Sequence, residues 1–243
     1  MATAIVTGVS RAAGIGATIA RRLAADGFEL FLTGWSPHDA EQVYGEEPGG
    51  GERIAEELGA PFLALDFEDP DAPRQLFAAT RADVLVANHA RSSQQSLSEL
   101  TAAELDRSFA VNARATLLLV QAFAAQDPSP DAGRIVLFSS GQYYSAMPTQ
   151  LPYIASKAVL QQLTASLAFE LAPRGITVNC IDPGPNDTGY ATDALRRSVE
   201  AAMPTGRWGT PTDAARLVAW LCSEEAGWVN GQTIASDGGF SAR

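Results

Sequence analysis

Residues 140–157 read S-G-Q-Y-Y-S-A-M-P-T-Q-L-P-Y-I-A-S-K and bring together a serine, a tyrosine and the only lysine of the chain. Tyr153 and Lys157 are four residues apart in a segment, 153–171, that is predicted to be helical, so both side chains lie on one helical face. Ser140 ends an apolar run, 134–140, that has the pattern of a buried strand. Because open α/β sheets bind ligands at the carboxyl ends of their strands, this stretch is predicted to carry the functional site.

The Tyr153–Lys157 pair has the chemistry of a proton-transfer unit. A free phenol titrates near pH ~10, and a fixed ammonium beside it favours the phenolate and lowers that pKa. An oxidised nicotinamide would lower it further, towards the working pH at which acid–base catalysis is most efficient. The alternative interpretation is a solvent-exposed pair one turn apart, which is common on helices. The retention of a single lysine among arginines favours the catalytic interpretation.

Composition argues against several classes of function. The 243 residues are 46% hydrophobic, enough for a large core, and the net charge of −11 argues against binding of nucleic acid or anionic membranes. Cys180 and Cys222 lack metal-ligand spacing and indicate buried thiols in a reducing compartment, so no metal site is expected. The sequence has no recognisable secretory leader and no apolar run near ~20 residues, so a cytoplasmic protein is predicted.

Predicted strands alternate with predicted helices along the whole chain. The strands are 2–6, 28–33, 61–65, 83–87, 134–140, 176–182 and 233–236, and the helices are 17–26, 53–58, 71–82, 102–126, 153–171, 190–203 and 212–223. This order predicts an α/β fold, a doubly wound Rossmann-like parallel sheet in a single domain spanning 1–243. Residues 37–52 are predicted to form a mobile surface loop, and residues 185–206 a substrate lid.

The segment T-G-V-S-R-A-A-G-I-G, residues 7–16, lies between the first predicted strand and the first predicted helix. Glycines there let the backbone approach a pyrophosphate, and the helix N-terminus offers free N–H groups, so dinucleotide binding is favoured over an ordinary turn. The second strand ends in Thr33-Gly34-Trp35, without the acidic residue that holds the 2′-hydroxyl of NAD. Arg11 is either a solvated loop residue or a partner for a 2′-phosphate. Together these observations favour NADP(H).

These motifs resemble the short-chain dehydrogenase/reductase family over essentially the whole chain, most of all its 3-oxoacyl-carrier-protein reductase type. The family pattern T-G-x-x-x-G-x-G matches residues 7–16 with two extra residues inserted, and Asn88 matches the N-N-A-G motif, from which His89 departs. Asn112 is unfavourable inside a helix unless a kink or a polar site requires it, and it matches the family's helix asparagine. The other matches are Asp66, Ser140, Tyr153, Lys157, Pro183, Gly184 and Thr188.

The resemblance implies hydride transfer between NADP(H) and a small carbonyl compound or alcohol, in a homotetramer. Tyr153 would donate the proton, and Lys157 would lower its pKa and hold the nicotinamide ribose. Ser140 would bind the carbonyl oxygen, and Asn112 would hold a water behind Lys157. The residues implied in cofactor binding are Gly8, Ser10, Arg11, Gly14, Ile15, Gly16, Asp66, Phe67, Asn88, Tyr153, Lys157, Pro183, Gly184 and Thr188. For His89, a role in binding and a neutral packed side chain are both open.

Three other functions remain alternatives on the same fold. Halohydrin dehalogenases use Ser-Tyr-Arg without nicotinamide, which Lys157 and the glycine loop disfavour. A non-catalytic NADP-binding regulator would tend to lose Tyr153, and enoyl reduction is a different chemistry of the same site. A partly aromatic, uncharged substrate pocket is predicted from Gln142, Tyr143, Tyr144, Met147 and Tyr190. A 3-oxoacyl group and another small ketone are both open as substrates.

Overall fold

Seven parallel strands form the central sheet in the computed structural model, which describes residues 1–126, 133–143 and 146–242. Their spatial order is β3-β2-β1-β4-β5-β6-β7, so the direction of winding reverses between β1 and β4. A crevice for ligands opens at such a reversal, outside the carboxyl ends of the strands. The strands are β1 Thr3–Thr7, β2 Glu29–Gly34, β3 Phe62–Ala64, β4 Val84–Ala87, β5 Arg134–Phe138, β6 Thr177–Asp182 and β7 Thr233–Ala235.

Helices cover both faces of the sheet, which confirms the predicted doubly wound α/β fold. On one face α1 packs against α9, and on the other α4, α6 and α7 cover the strands. The helices are α1 Ile15–Ala25, α2 Ser36–Ala40, α3 Gly50–Leu58, α4 Ala72–Ala79, α5 Ala102–Phe109, α6 Thr116–Ala125, α7 Leu151–Leu171, α8 Asp193–Ala202 and α9 Pro211–Cys222.

The central strands are apolar on both faces because both faces are covered. In β1, Val6 packs into the core under α1 and α9, whereas Ile5 packs into the core under α4 and α6. Val86 and Leu85 divide in the same way in β4, and all four side chains are fully buried. Burial of each such side chain contributes about 1.5–3 kcal/mol. The uninterrupted apolar runs in the sequence therefore reflect two-sided burial of a parallel sheet.

The prediction of a mobile surface loop over 37–52 was wrong at both ends of that segment, which are helical. Residues 36–40 form the short helix α2, in which a proline occupies the first turn, and α3 begins at Gly50. The glycines that suggested a loop are required for close packing. A Cβ on Gly50 would come 2.2 Å from the Ser10 carbonyl oxygen, and one on Gly51 would come 2.4 Å from the Phe62 ring. The connecting segment 35–49, here called the strap, runs between the ends of β2 and α3.

The predicted long helix over 102–126 is continuous but changes its winding around Asn112. Residues 110–115 form a π-helical segment between α5 and α6, which confirms the distortion expected from a polar residue inside a helix. By length and composition alone, the stretch 102–125 could cross a membrane, although the sequence analysis predicts no such segment. Half of its most apolar window is buried in the protein, and α5 and α6 pack against α7 and α4.

The predicted helix over 190–203 begins later, at Asp193. Thr192 caps α8 by accepting a hydrogen bond from the Leu195 N–H, so Tyr190 lies before the helix. No residue of α8 is buried. Tyr190 instead stacks edge-on against Trp208, with ring centroids 5.8 Å apart. The lid remains a prediction, and within the helix the Arg196 carbonyl accepts a hydrogen bond from Nε1 of the buried Trp208 at 3.0 Å.

Candidate active site

A cavity of about 760 Å³ lies at the carboxyl ends of the central strands and gathers most of the predicted site residues. Among the residues that line it are Gly8, Ser10, Arg11, Gly14, Ile15, Asp66, Phe67, Asn88, Ser140, Tyr153, Lys157, Pro183, Gly184 and Thr188. Gly16 and Asn112 do not line the cavity. They lie behind its wall, where they hold other site residues in place.

The glycine loop has the shape that a phosphate-binding loop needs. Gly8 has φ of +72°, and a Cβ on it would come 2.8 Å from the backbone of His89. A Cβ on Gly16 would come 2.4 Å from the Gly8 carbonyl oxygen. Asn88 Nδ2 donates to the carbonyl oxygens of Thr7 and Gly8, at 3.2 Å each. Loop and α1 therefore approach so closely that only glycine fits, which suits a dinucleotide cofactor.

The two inserted residues of this loop turn away from the cavity. Gly14 N–H closes a turn on the Arg11 carbonyl at 3.0 Å. Ala12 N–H donates to Glu47 Oε2 at 2.8 Å, and Arg21 Nη1 donates to the Ala12 carbonyl at 3.0 Å. The helix α1 has no side-chain cap at Gly14, and its first residues Gly14 and Ile15 line the cavity, where a helix N-terminus would stabilise an anion. The insertion therefore leaves the glycine cradle and the helix N-terminus in position.

Arg11 spans the cavity wall between two other segments. Its Nη1 donates to the Thr188 carbonyl oxygen at 3.1 Å, and its guanidinium lies 3.7 Å above the ring of Tyr44 in the strap. No carboxylate pairs with Arg11 within the described ranges, in a chain whose net charge is −11. A guanidinium in this state has donors available for a phosphate. Its assignment to the 2′-phosphate stays a prediction.

Ser140, Tyr153 and Lys157 all line the cavity, and Ser140 hydrogen-bonds to Tyr153. Burial raises the pKa of Tyr153, a hydrogen bond from Ser140 lowers it, and the charge of Asp182 raises it. Lys157 is buried, its Nζ donates to the Phe138 carbonyl oxygen at 3.1 Å, and burial lowers its own pKa to about 8. The pKa of Tyr153 is thus raised in the protein itself, opposite to the direction predicted from the spacing, because desolvation outweighs the neighbouring groups.

Asn112 joins the catalytic helix to the loop after β4. Its Oδ1 accepts from the Arg91 N–H at 2.7 Å, and its Nδ2 donates to the Arg91 carbonyl at 3.0 Å and to Ser156 Oγ at 2.8 Å. Ser156 Oγ in turn donates to the Tyr153 carbonyl at 2.8 Å. Every polar atom of this amide is therefore occupied by protein groups. In this structure Asn112 positions α7, and the predicted water relay remains untested.

His89 is a neutral, buried side chain that fills the space below the glycine loop. Its Nδ1 lies 2.8 Å from Thr7 Oγ1, its Nε2 lies 3.1 Å from the Val111 carbonyl, and its ring stacks on Phe67 at 4.2 Å. Burial, followed by the charge of Lys157, lowers its pKa to about 3. The carbonyl partner places the ring proton on Nε2. The packed interpretation of His89 is therefore the one that its contacts favour.

Several site residues were not found from the sequence. Arg91 forms a two-point ion pair with Glu104 at 2.9 and 3.1 Å and reaches Glu41 of the strap at 3.1 Å. His38 Nε2 accepts from the Ser92 N–H at 3.0 Å, and burial lowers the pKa of His38. These contacts fasten the strap to the loop after β4. The two contacts to the strap join residues 50 and 54 positions apart, so no local sequence pattern predicts them.

Only some of the residues predicted to form the substrate pocket line the cavity. Met147 and Tyr190 line the cavity. Gln142 does not, and its Nε2 donates to Gln161 Oε1 at 3.3 Å. Tyr144 and the side chain of Tyr143 fall outside the described residues. Within the described ranges, no group of three or more His, Cys, Asp or Glu side chains is arranged to hold a metal ion.

Residues 8–241 match the family model described as "Enoyl-(Acyl carrier protein) reductase". Among curated relatives, the uncharacterized oxidoreductase YjdA of Bacillus subtilis (strain 168) is 37% identical over 246 residues, which cover 98% of this chain and 96% of the relative. Dehydrogenase/reductase SDR family member 4 of Homo sapiens is 31% identical over 240 residues, covering 95% and 84% of the two chains.

Two solved structures with the same fold are ketoreductases. The promiscuous reductase LugOII, which catalyses keto-reduction at C1 during lugdunomycin biosynthesis, superimposes with a TM-score of 0.88 at 31% identity over 100% of this chain and 98% of its own. The angucycline C-6 ketoreductase LanV with bound NADP gives a TM-score of 0.87 at 31% identity, with 100% and 96% coverage.

Proposed function

Because this chain belongs to the short-chain dehydrogenase/reductase family of oxidoreductases, we propose that it is an NADP(H)-dependent ketoreductase that reduces a small-molecule ketone to a secondary alcohol. The observation that carries the proposal is that one cavity joins Ser140, Tyr153 and Lys157 to the glycine cradle of residues 8–16. Proton transfer and dinucleotide binding thus share one site. A ketone placed against Tyr153 would lie within reach of a cofactor held by that cradle.

The proposed chemistry assigns a task to each residue at the base of the cavity. NADPH, when bound, supplies the hydride. Ser140 donates a hydrogen bond to the carbonyl oxygen, and Tyr153 gives its phenolic proton to the alkoxide that develops there. Lys157 holds the nicotinamide ribose and supplies positive charge beside Tyr153. The raised pKa of Tyr153 keeps the phenol protonated at neutral pH, as an acid in the reductive direction requires.

The proposed preference for NADP(H) over NAD(H) rests on two features of the adenosine end. The strand β2 ends at Gly34 and is followed by Trp35, with no carboxylate at the position that usually holds a ribose diol. Arg11 has a guanidinium without a carboxylate partner among the described residues. The LanV structure, which is similar over the whole chain, contains NADP.

The proposed substrate is a small carbonyl compound, either of the 3-oxoacyl type or another ketone, with the alcohol as the product of the forward reaction. The named activities of LugOII and LanV are keto-reductions, which supports reduction of C=O. The negative net charge disfavours nucleic acid and membranes as partners. We further propose a cytoplasmic homotetramer. The buried free thiols of Cys180 and Cys222 agree with a reducing compartment. The exposed Phe169 on α7 agrees with a subunit interface at that helix.

Enoyl reduction is the second candidate, because the matching family model carries that description. A thermal-shift titration with NADPH and NADH, followed by NADPH oxidation with matched ketone and enoyl substrates, separates the possibilities. A ligand at a hundred times its Kd stabilises the folded state by about 2.7 kcal/mol, which such a titration resolves. Oxidation of NADPH by ketones supports the proposal, and oxidation by enoyl compounds alone favours the second candidate. Binding without turnover of either would indicate a regulator.

A further inference from the structure

A second cavity lies at the opposite end of the sheet from the candidate active site. It has a volume of about 900 Å³, and no residue that the structure describes lines both this cavity and the first one. Arg134, at the amino end of β5, lines the second cavity, whereas Phe138, at the carboxyl end of β5, lines the first. At ~3.3 Å per residue, the two ends of β5 are about 13 Å apart. The two cavities are therefore separate places on one sheet.

Arg134 brings a buried positive charge to this second cavity. The residue is only 5% exposed and pairs in the sheet with Val84 on one side and Thr177 on the other. Its Nη1 donates to the Gly133 carbonyl at 3.0 Å, and its Nε donates to the Ser223 carbonyl at 3.4 Å. The guanidinium has more N–H donors than these two carbonyls use. Because both partners are neutral, they leave its charge unbalanced.

No carboxylate balances the charge of Arg134 in the part of the chain that the structure describes. Glu224 also lines the cavity, but it is exposed and forms no ion pair with this guanidinium. The charge of Arg134 does reach the buried Cys222: burial raises the pKa of that thiol to about 12, and Arg134 opposes the shift. A charge buried without a partner is strongly destabilising, so this arrangement indicates a counter-ion supplied by a ligand.

The cavity offers an apolar surface beside this cation. A Cβ on Gly227 would come 3.5 Å from Arg134 Nη2, so the glycine keeps that side of the nitrogen clear. The cavity runs from the buried Arg134 to Trp228, which is 99% exposed. An exposed indole that continues an apolar wall is typical of a surface that a ligand covers. The apolar residues that line the cavity with Trp228 are Ala2, Phe28, Val84, Ala172, Ile176 and Cys222.

We propose that this second cavity binds an amphiphilic monocarboxylate, whose carboxylate accepts hydrogen bonds from Arg134 and whose apolar body packs along the wall towards Trp228. A guanidinium binds a carboxylate through strong, charge-assisted hydrogen bonds. Among the described lining residues Arg134 is the single cation, which suits one negative charge better than the two of a phosphate monoester. A concave apolar wall with one charged group is also typical of small-molecule sites. This site is independent of the proposed ketoreductase function.

The experiment measures binding of 4-phenylbutanoate and of its uncharged amide to the full chain by titration calorimetry, with and without NADP⁺. The natural chain is expected to bind the carboxylate about tenfold more tightly than the amide, because only the carboxylate balances the charge of Arg134. NADP⁺ should leave both affinities unchanged, since it is proposed to bind in the first cavity. In Arg134→Met, the two affinities should come within about twofold of each other.

Arg11→Ala is the matched control, because it removes a guanidinium that lines the first cavity and should keep the natural preference. If Arg134→Met does not fold, a pair of variants at Gly227 replaces it. The backbone there has φ of −58°, which other residues adopt readily. Gly227→Glu sets a carboxylate beside Arg134 and should remove the preference, whereas Gly227→Gln has the same size without the charge and should retain it.

Equal affinity of the natural chain for 4-phenylbutanoate and its amide would overturn the inference, as would a preference that persists in Arg134→Met. Competition between the carboxylate and NADP⁺ would also overturn it, because the carboxylate would then occupy the first cavity. Tighter binding of inorganic phosphate than of 4-phenylbutanoate would overturn the assignment to a monocarboxylate. If the chain binds the carboxylate through Arg134 but does not bind NADP⁺, the inference stands and the proposed function fails.

Discussion

The two walls of the cavity differ in how completely their polar groups are paired. Behind the catalytic wall, which is formed by α7, the amide of Asn112 in the π-helical segment is fully hydrogen-bonded, and on that wall Lys157 Nζ donates to the Phe138 carbonyl. On the recognition wall, formed by the glycine loop, the strap and the loop after β6, Asp39 Oδ2 and Asn186 Oδ1 have no partner in the described part of the chain.

This difference separates two tasks. Catalytic groups gain from being held in place before the substrate arrives, because ordering them later would cost binding energy. Recognition groups must keep unpaired hydrogen-bond donors or acceptors for the ligand, and the protein tolerates the cost of burying them without a partner. Substitutions on the catalytic wall should therefore reduce turnover or stability, whereas substitutions on the recognition wall should mainly change affinity. The predictions below test this division, in order of decreasing effect.

Tyr153→Phe should reduce turnover by roughly 10²–10⁴, the usual contribution of general acid–base catalysis, because it removes the transferable proton alone. Cofactor affinity should change little. The measurement is steady-state NADPH oxidation with a ketone, combined with a binding titration. Tyr190→Phe, which removes a second phenol from the same cavity, is the control. Near-natural turnover in Tyr153→Phe would exclude Tyr153 from the mechanism.

Lys157→Met should abolish activity and at the same time raise the free energy of unfolding at pH 7, by up to about 3 kcal/mol. The pKa of Lys157 is lowered from 10.5 to about 8, so the folded protein disfavours its charge. The unfolded chain therefore binds the Lys157 proton more tightly than the folded chain does. The destabilisation caused by the buried charge of Lys157 is fully present below about pH 8.

As the pH rises from about 8 to 10.5, the penalty disappears, and the natural chain should approach the variant in stability. Urea unfolding of both proteins across this pH range measures the difference, and because they share all other titrating groups the comparison isolates Lys157. A constant difference from pH 7 to pH 10.5 would contradict the argument.

Asn112→Ala should lower the free energy of unfolding by about 1–3 kcal/mol, because it leaves the buried Arg91 backbone groups and Ser156 Oγ without their partner. Turnover should also fall, since the same amide positions the helix that carries Tyr153. Ser156→Ala, which removes one of these bonds, should cost less. An Asn112→Ala protein of unchanged stability would show that the π-helical segment does not depend on this amide.

Asp182→Asn should shift the pH profile of alcohol oxidation to lower pH by roughly half to one unit. The Asp182 carboxylate is buried at the end of β6, accepts from the Gly184 N–H at 2.9 Å, and raises the pKa of Tyr153. Asn keeps an acceptor for Gly184 but removes the charge, so the phenol should ionise more readily. Asp187→Asn, whose carboxylate pairs with Arg196, is the control and should leave the profile in place.

Arg11→Ala should have the smallest effect on stability, about 1 kcal/mol, because it loses the hydrogen bond to the Thr188 carbonyl and the stacking on Tyr44 but breaks no ion pair among the described residues. Affinity for NADP(H) should fall while affinity for NAD(H) is retained, as shown by parallel titrations. Equal losses for both cofactors would assign Arg11 to a phosphate that the two have in common.

Much of this architecture could be predicted because it depends on neighbours in the chain. The strands were recognisable because two-sided burial demands continuous apolar runs, and Tyr153 and Lys157 because a spacing of four places both on one helical face. Asn112 was recognisable as a polar residue inside an apolar helix, and the structure has a π-helical segment at that position. Gly50 and Gly51 favoured the wrong prediction of a loop, because glycine is also required where the backbone packs closely against Ser10 and Phe62.

What the sequence by itself determined is therefore the order of strands and helices, the glycine loop and the candidates for the catalytic side chains, since each depends on local spacing and on residue chemistry. Only the tertiary structure decided the direction of the Tyr153 pKa shift, the neutral state of His89, the attachment of the strap through Arg91, and the unpaired oxygen of Asn186. Desolvation and hydrogen-bond pairing are properties of surroundings assembled from distant segments, and no single stretch of sequence contains them.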